Sequence, residues 1–223
     1  MNLVDSEDLK EYAKFTNYLE QSIKVNALTF ANDKFDGAFL EYFNGADSIT
    51  ISRSDVFDAF SKNSKDGILS AFMWGFPTGG RGTSAINLIK NLDFYIETID
   101  LIKKVGVNKF LFEKINSKPR VNYATTSKFL YFSNAKTSYG ASLIFDQRVS
   151  LFITEYQPVD FQKTFSCLRE QKGYKLPHNS YISYVKECNE LADKLKTYPD
   201  IVEMYLFERA PMKRKPKHLA PST

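Results

Sequence analysis

A lysine and an aspartate are the two residues of this sequence best placed for chemistry. Lys128 stands directly before four bulky apolar residues in the stretch TTSKFLYF, and Asp146 follows an apolar triplet in the stretch LIFDQRV, 18 positions later. Both contexts put an ionisable side chain beside residues that must be buried. Such a group has a shifted pKa, finds a partner, or reaches the solvent.

For Lys128 we expect a helix that begins after SKPRVN, with Thr125 or Thr126 as its N-cap. Lys128 would then lie in the first turn, where the helix dipole and burial both lower the pKa of a lysine. A lysine with a lowered pKa can act as a neutral amine nucleophile. The alternative is a stem that lies on Phe129 or Phe132 and an ammonium group that stays in water.

For Asp146 the sequence predicts an N-cap. The segment QRVSLFITEY that follows it has a helical pattern, and a carboxylate at this position accepts hydrogen bonds from backbone N–H groups. The alternative to a chemical role is therefore an ordinary helix cap, and the spacing of the two residues leaves both open.

The elements around this pair read mostly as helices, which predicts an all-α domain of many short helices. Asp5 or Ser6 is expected to cap a first helix that runs to about Lys24, and Pro199 to begin the last one. SITIS and SLIF are the only strand candidates. We expect one domain over residues 1–212, built as a single body or as two helical lobes with a cleft, and a basic tail over residues 213–223.

Composition and charge narrow the function classes. The 223 residues are 43% hydrophobic and include 19 Phe and 13 Tyr, which argues against disorder. The net charge of +4 equals the four basic residues of the tail segment KRKPKH, so residues 1–212 are formally neutral. If this chain binds nucleic acid, it must therefore do so with a local patch, with non-specific help from the tail; the alternative for the tail is a solubilising terminus.

Cysteine and histidine usage excludes several other classes. The two cysteines, Cys167 and Cys188, have no metal-site spacing, and the two histidines, His178 and His218, are too few for a histidine-based triad or metal site. The N-terminal segment MNLVDSEDLKEY lacks a signal-peptide pattern, and no apolar run approaches the roughly 18 residues of a membrane span. The sequence predicts a cytoplasmic protein that works without a metal or cofactor.

Together, Lys128 and Asp146 form an arrangement that resembles the helix-hairpin-helix DNA glycosylases, specifically the 8-oxoguanine DNA glycosylase branch. In that family a lysine begins the second helix of the hairpin, and a later aspartate caps the next helix. LIFDQRV is similar to the family's apolar-Asp-x-Arg/His signature, and SAFMWGFPTGGRGT and YVKECNELADKLKTYPDIVEMYLF resemble a bacterial group of 8-oxoguanine-glycosylase-like proteins. The resemblance covers about residues 55–210.

The resemblance implies a monomeric enzyme that acts on double-stranded DNA and excises a damaged purine such as 8-oxoguanine. The target nucleotide is flipped out of the duplex, Lys128 attacks the sugar C1′ to give a Schiff base, and β-elimination then nicks the strand. Asp146 stabilises the positive charge on the sugar. Two alternatives stay open: a phage-defence glycosylase that acts on modified bases of invading DNA, and a non-catalytic DNA-binding protein on the same scaffold.

Four basic residues are candidates for DNA contacts. The family hairpin carries a Gly-x-Gly turn that holds a phosphate, whereas this hairpin, SKPRVNYATTS, has no glycine. We expect Lys118 and Arg120 to replace that turn by charge. Arg81, between the glycines of PTGGRG, and Arg148, in the LIFDQRV signature, are the other two candidates.

Three aromatic residues are candidates for the base pocket. Phe72, Trp74 and Phe76 lie in SAFMWGFP, and aromatic rings stack on unpaired bases. The alternative for all three is ordinary packing in the core.

Overall fold

The structure, a computed structural model, describes residues 4–31, 35, 37–80, 83–119, 121–170 and 176–211. Arg81, Arg120 and the basic tail over residues 213–223 lie outside the described residues. Among the residues it does describe, no helix is long and apolar enough to span a membrane.

Within these residues the chain forms twelve α-helices and two small antiparallel sheets, which confirms the all-α prediction. The helices are α1 (Ser6–Phe15), α2 (Ala27–Phe30), α3 (Arg53–Lys62), α4 (Ser64–Gly75), α5 (Ser84–Lys90), α6 (Leu92–Val105), α7 (Lys109–Ile115), α8 (Tyr123–Phe132), α9 (Gln147–Tyr156), α10 (Gln162–Glu170), α11 (His178–Leu195) and α12 (Pro199–Arg209). The strands are β1 (Ser22–Asn26), β2 (Ser48–Ser52), β3 (Lys136–Thr137) and β4 (Gly140–Ala141).

The N-terminal helix is shorter than predicted. Asp5 caps it as expected, since its carboxylate accepts the N–H groups of Glu7 and Asp8, but α1 ends at Phe15 instead of Lys24. Residues 22–26 instead form β1, which pairs with the predicted strand SITIS, now β2. The alternating Ile and Val of SIKVN favour a strand over a helix once a partner strand is present.

The second predicted strand, SLIF, makes no strand ladder within the described part of the chain. Residues 142–145 are extended and buried, and they lie between β4 and α9. The Ser142 N–H donates to the Ala135 carbonyl at 2.9 Å, whereas side-chain hydroxyls bond to the carbonyls of Leu143, Ile144 and Phe145 and to the Phe145 N–H.

The core is centred on α8, in which every residue from Thr125 to Phe132 is buried. Helix α4 packs on α3, α6 and α8, while α12 packs on α9 and α11. The buried apolar side chains of the described residues form one continuous cluster. An ionisable side chain on α8 therefore lies inside the protein, not on its surface.

Candidate active site

Helices α7 and α8 are consecutive in the chain and are joined by residues 116–122, and we refer to this pair of helices as the hairpin. The N-cap of α8 is Asn122, not Thr125 or Thr126 as predicted, because its side chain accepts the Thr125 N–H at 3.1 Å. Thr126 Oγ1 donates to Asn116 Oδ1 at 2.7 Å, which ties the first turn of α8 to the end of α7. Side-chain amides thus organise the turn, although it contains no glycine.

Lys128 is the sixth residue of α8, so the prediction that it lies in the first turn is wrong. The dipole effect is confined to the first turn and does not act at this position. The side chain is buried, with a relative exposure of 5% for the residue, so the alternative in which the ammonium reaches water is also wrong. Its Nζ donates to the Ala124 carbonyl at 3.2 Å and lies 5.7 Å from the centre of the Phe76 ring.

Burial lowers the pKa of Lys128 from its ordinary value of 10.5. The negative charges of Asp146 and Glu203 oppose this change in pKa, while the positive charge of Arg53 adds to it. Because the desolvation effect is the largest, the pKa is lowered overall, and a larger fraction of the amine is neutral near neutral pH. This is the protonation state that a lysine nucleophile requires.

Asp146 is the N-cap of α9, as predicted. Its Oδ1 accepts the N–H groups of Arg148 at 2.8 Å and Val149 at 3.1 Å, and the residue is half-buried. Among the described residues, Oδ2 accepts no hydrogen bond. The cap therefore uses one carboxylate oxygen, and the other is available to a substrate.

The backbone in front of Asp146 is held by three buried hydroxyl groups. Ser127 Oγ donates to the Phe145 carbonyl at 3.1 Å and accepts the Phe145 N–H at 3.0 Å. The hydroxyls of Tyr181 and Tyr184 donate to the two preceding carbonyls, those of Leu143 and Ile144, each at 2.9 Å. The residue before Lys128 is thus bonded to the residue before Asp146, which fixes the two candidate catalytic segments relative to each other.

We expect Ser127→Ala to destabilise the fold by about 1–3 kcal/mol, because it leaves the buried N–H and C=O of Phe145 without their partner. Urea unfolding measures this loss. Ser133→Ala is the matched control, since Ser133 is also buried on the same segment but donates only to the nearby Leu130 carbonyl. Equal losses for the two variants would show that the Ser127–Phe145 link contributes nothing specific.

The three aromatic pocket candidates do not lie together beside Lys128. Phe72 is fully buried against Phe39 and Phe76, and Trp74 packs edge-on against Phe132 while its Nε1 donates to the Gln21 carbonyl at 3.3 Å. Both rings are parts of the core. Phe76 is half-buried and lies next to the lysine, which makes it the one pocket candidate that the fold places at the site.

The two described DNA-contact candidates have different surroundings. Lys118 lies in the hairpin connection, partly exposed, with its Nζ 4.3 Å from the centre of the Phe94 ring. Arg148 instead donates to the carbonyls of Phe207, Glu208 and Ala210 at 2.8, 3.3 and 3.3 Å. Arg148 therefore caps the C-terminal end of α12, a common position for arginine.

A buried ion pair beside the lysine was not predicted. Arg53 on α3 and Glu203 on α12 are each 1% exposed, and Arg53 Nη2 lies 2.8 Å from Glu203 Oε2, in an ion pair that is not a linear hydrogen bond. Arg53 also donates to the Tyr131 hydroxyl at 3.1 Å and to Gln21 Oε1 at 2.7 Å. Tyr131 follows Lys128 by three residues on α8, so the ion pair lies against the face of α8 that carries the lysine.

A cavity lined by described residues lies elsewhere. It has a volume of about 740 Å³, lies between α7, α10 and the start of α11, and is lined by neither Lys128 nor Asp146. Lys128 and Asp146, and not this cavity, therefore define the candidate active site.

The chain was compared with known proteins. The sequence profile of a family described as "Putative 8-oxoguanine DNA glycosylase OGG-like protein" matches residues 16–207. Comparison with curated proteins and with solved structures gives no significant match. The match includes the hairpin, Lys128, Asp146 and the buried ion pair, and this family assignment supports a DNA glycosylase-like function and DNA as the partner. The chain belongs to the OGG-like family of 8-oxoguanine DNA glycosylase proteins.

Proposed function

We propose that the protein is a bifunctional DNA glycosylase and abasic-site lyase that removes a damaged purine such as 8-oxoguanine. The observation that carries the proposal is the buried Lys128 on the second hairpin helix, held through Ser127 to the backbone in front of the Asp146 cap. A buried lysine with a lowered pKa costs stability, and titratable groups perturbed in this way are concentrated at functional sites.

The reaction begins when the target nucleotide leaves the duplex and enters the site, at a cost of about a few kcal/mol. The lone pair of Lys128 Nζ forms a bond to the sugar C1′, and the bond from C1′ to the base breaks with its electrons on the departing base. The new secondary amine then loses its proton, the sugar ring opens at O4′, and a Schiff base results. Loss of a C2′ proton and of the 3′ phosphate completes β-elimination and nicks the strand.

Asp146 would act through its charge. The developing positive charge on the sugar is stabilised by a fixed carboxylate, which needs no reorganisation at the moment of reaction. Phe76, next to Nζ, is the candidate for packing on the extruded base. Lys118, in the glycine-free hairpin connection, is the candidate for a phosphate contact.

Borohydride trapping tests this function. The wild-type protein is incubated with a panel of duplexes that carry 8-oxoguanine, other oxidised or alkylated bases, or an abasic site, and with DNA that contains the modified bases of phage genomes. We expect a covalent complex with at least one oxidised-purine duplex. Trapping on the phage-type DNA alone would replace repair with defence as the role, and trapping on no duplex at all would contradict the proposal.

We expect Asp146→Asn to lower the single-turnover rate of trapping by about 10²–10³-fold while the fold is retained. Asparagine caps helices about as well as aspartate, so the loss would come from the missing charge. Removal of that charge also lowers the pKa of Lys128 further, because Asp146 raises it. The acid limb of the pH–rate profile should therefore move to lower pH.

The control for this substitution is Asp5→Asn, since Asp5 caps α1 in the same way but lies at no candidate catalytic position. It should leave both the maximal rate and the pH profile unchanged. An Asp146→Asn variant with the wild-type rate would reduce Asp146 to an ordinary helix cap.

A further inference from the structure

The last residue of α4, Gly75, lies against the side chain of Lys128. A Cβ atom built on Gly75 would be 2.7 Å from Lys128 Cδ and 2.9 Å from Cε, distances that are shorter than van der Waals contact. The same atom would lie 3.8 Å from Nζ. The stem of the lysine thus occupies the volume that any side chain at position 75 would take.

The backbone at position 75 does not itself require glycine. Gly75 has no positive φ, unlike Gly79 and Gly80 just after it, and it lies within α4, whose last turn is closed by the Phe76 N–H donating to the Phe72 carbonyl at 2.9 Å. Alanine has a higher helix propensity than glycine at such a position. The reason for a glycine at position 75 is therefore the close contact with Lys128, not the backbone conformation.

The contact also determines where the amine lies. With its stem in the slot at Gly75, the lysine reaches back along its own helix, and Nζ donates to the Ala124 carbonyl under the Phe76 ring. If Cδ and Cε were displaced, Nζ would lose this position. Cδ and Cε belong to the flexible end of the lysine side chain, so they can move without a change in the backbone fold. The amine at the end of that side chain would move with them.

We propose that Gly75 is a positioning residue for Lys128: the missing Cβ leaves the slot for the lysine stem and thereby fixes the place of its amine. The inference rests on the proposed function in that it takes Lys128 as the nucleophile. It adds Gly75 of α4 to a site that otherwise consists of residues of α8, the segment before α9 and Phe76.

The test is Gly75→Ala, measured by the single-turnover rate of borohydride trapping and by the thermal midpoint. We expect the rate to fall by about 10²-fold, the effect of misplacing a reacting group by about 1 Å. The thermal midpoint should stay at or above that of the wild type, because the backbone gains from alanine. A wild-type trapping rate in Gly75→Ala would overturn the inference.

Gly67→Ala is the matched control in the same helix. A Cβ at Gly67 would clash with the Phe60 ring, to which its three nearest atoms all belong. We expect the opposite result there: a lower thermal midpoint, with the trapping rate of the folded protein unchanged. If both variants lost trapping in proportion to their loss of stability, the role of Gly75 would be structural only.

A second measurement does not depend on DNA. Reductive methylation with formaldehyde, followed by peptide mapping, gives the labelling rate of Lys128, which is slow in the wild type because the side chain is buried. In Gly75→Ala the displaced amine of Lys128 should be labelled faster than in the wild type. In Gly67→Ala, at temperatures below the thermal midpoint of that variant, Lys128 should be labelled at the wild-type rate. Equal labelling in Gly75→Ala and the wild type would contradict positioning, and failure of the wild type to trap any duplex would instead contradict the proposed function.

Discussion

Lys128→Gln loses covalent trapping by at least about 10³-fold on every duplex that the wild-type protein traps, because glutamine is polar and only one atom shorter than lysine but has no nucleophilic amine. The measurement is single-turnover trapping at a protein concentration above that of the DNA. In the same assay without borohydride, DNA binding should change little, since the buried amine is not a phosphate contact.

The pH dependence of the wild-type rate has a defined direction. Only the neutral amine attacks, and burial lowers the pKa of Lys128 below 10.5, so the rate should rise with pH through this lowered pKa and reach a plateau. A limb centred at the ordinary lysine value would mean that the reacting amine is an exposed one.

The stability of the protein should change with pH in the same direction as its activity. Between the lowered pKa of Lys128 and 10.5 the unfolded chain binds more protons than the folded one, so stability rises with pH across this interval. Below it the buried lysine destabilises the fold. Lys128→Met should therefore be inactive yet more stable than the wild type at pH 7, whereas the exposed Lys103→Met should leave stability unchanged.

The second large effect is expected at the buried ion pair. Arg53→Met should destabilise the protein by about 3–5 kcal/mol, because Glu203 is then buried without its counter-charge and must either take up a proton or stay charged at a cost. Urea unfolding of the DNA-free protein measures the loss. The double variant Arg53→Met, Glu203→Leu should recover much of it, since an apolar pair can replace a buried ion pair at little cost.

The loss in Arg53→Met should also depend on pH. Burial raises the pKa of Glu203 to about 7, although the charge of Arg53 lowers it. The folded state then binds the Glu203 proton more tightly than the unfolded state does. The stability of the protein therefore falls as pH rises from about 4.5 to about 7, and the contribution of Glu203 to stability is lowest above this pKa. Removal of Arg53 raises the pKa further, so the variant should lose more stability at pH 8 than at pH 6.

The control is the exposed ion pair between Arg209 and Asp8, whose atoms are also 2.8 Å apart but whose side chains are 48% and 40% exposed. Arg209→Met should cost no more than about 1 kcal/mol. A similar cost for Arg53→Met, or one independent of pH, would mean that Glu203 is already neutral in the wild type.

The family, the all-helical fold and the Asp146 cap could be predicted from the sequence because each depends on a local pattern. The run of apolar residues after Lys128 placed it beside the core but left open whether its ammonium group reaches water, and the polar residue between LIF and a helical segment marks a cap. The position of Lys128 within α8 was predicted wrongly because three residues near the helix start, Asn122, Thr125 and Thr126, can all act as an N-cap. In the structure Asn122 is the N-cap, and the hydrogen bond from Thr126 to Asn116 holds Thr126 inside the first turn.

The rest of the site depends on contacts between distant segments. Gly75 and Lys128 are 53 positions apart, and the Arg53–Glu203 pair joins α3 to α12. One sequence signal does exist for Glu203, since it lies inside the apolar run IVEMYL, much as Lys128 precedes FLYF. An acidic residue in such a run indicates burial, but it does not indicate that the partner is Arg53.

Peptide mapping of the trapped complex tests the central claim most directly. The borohydride-reduced complex of the wild-type protein with a damaged duplex is digested with protease and nuclease, and mass spectrometry locates the residual sugar fragment. The account predicts a single adduct on Lys128, in the peptide that contains TTSKFLYF. An adduct on any other amine of the chain, with Lys128 unmodified, would contradict it.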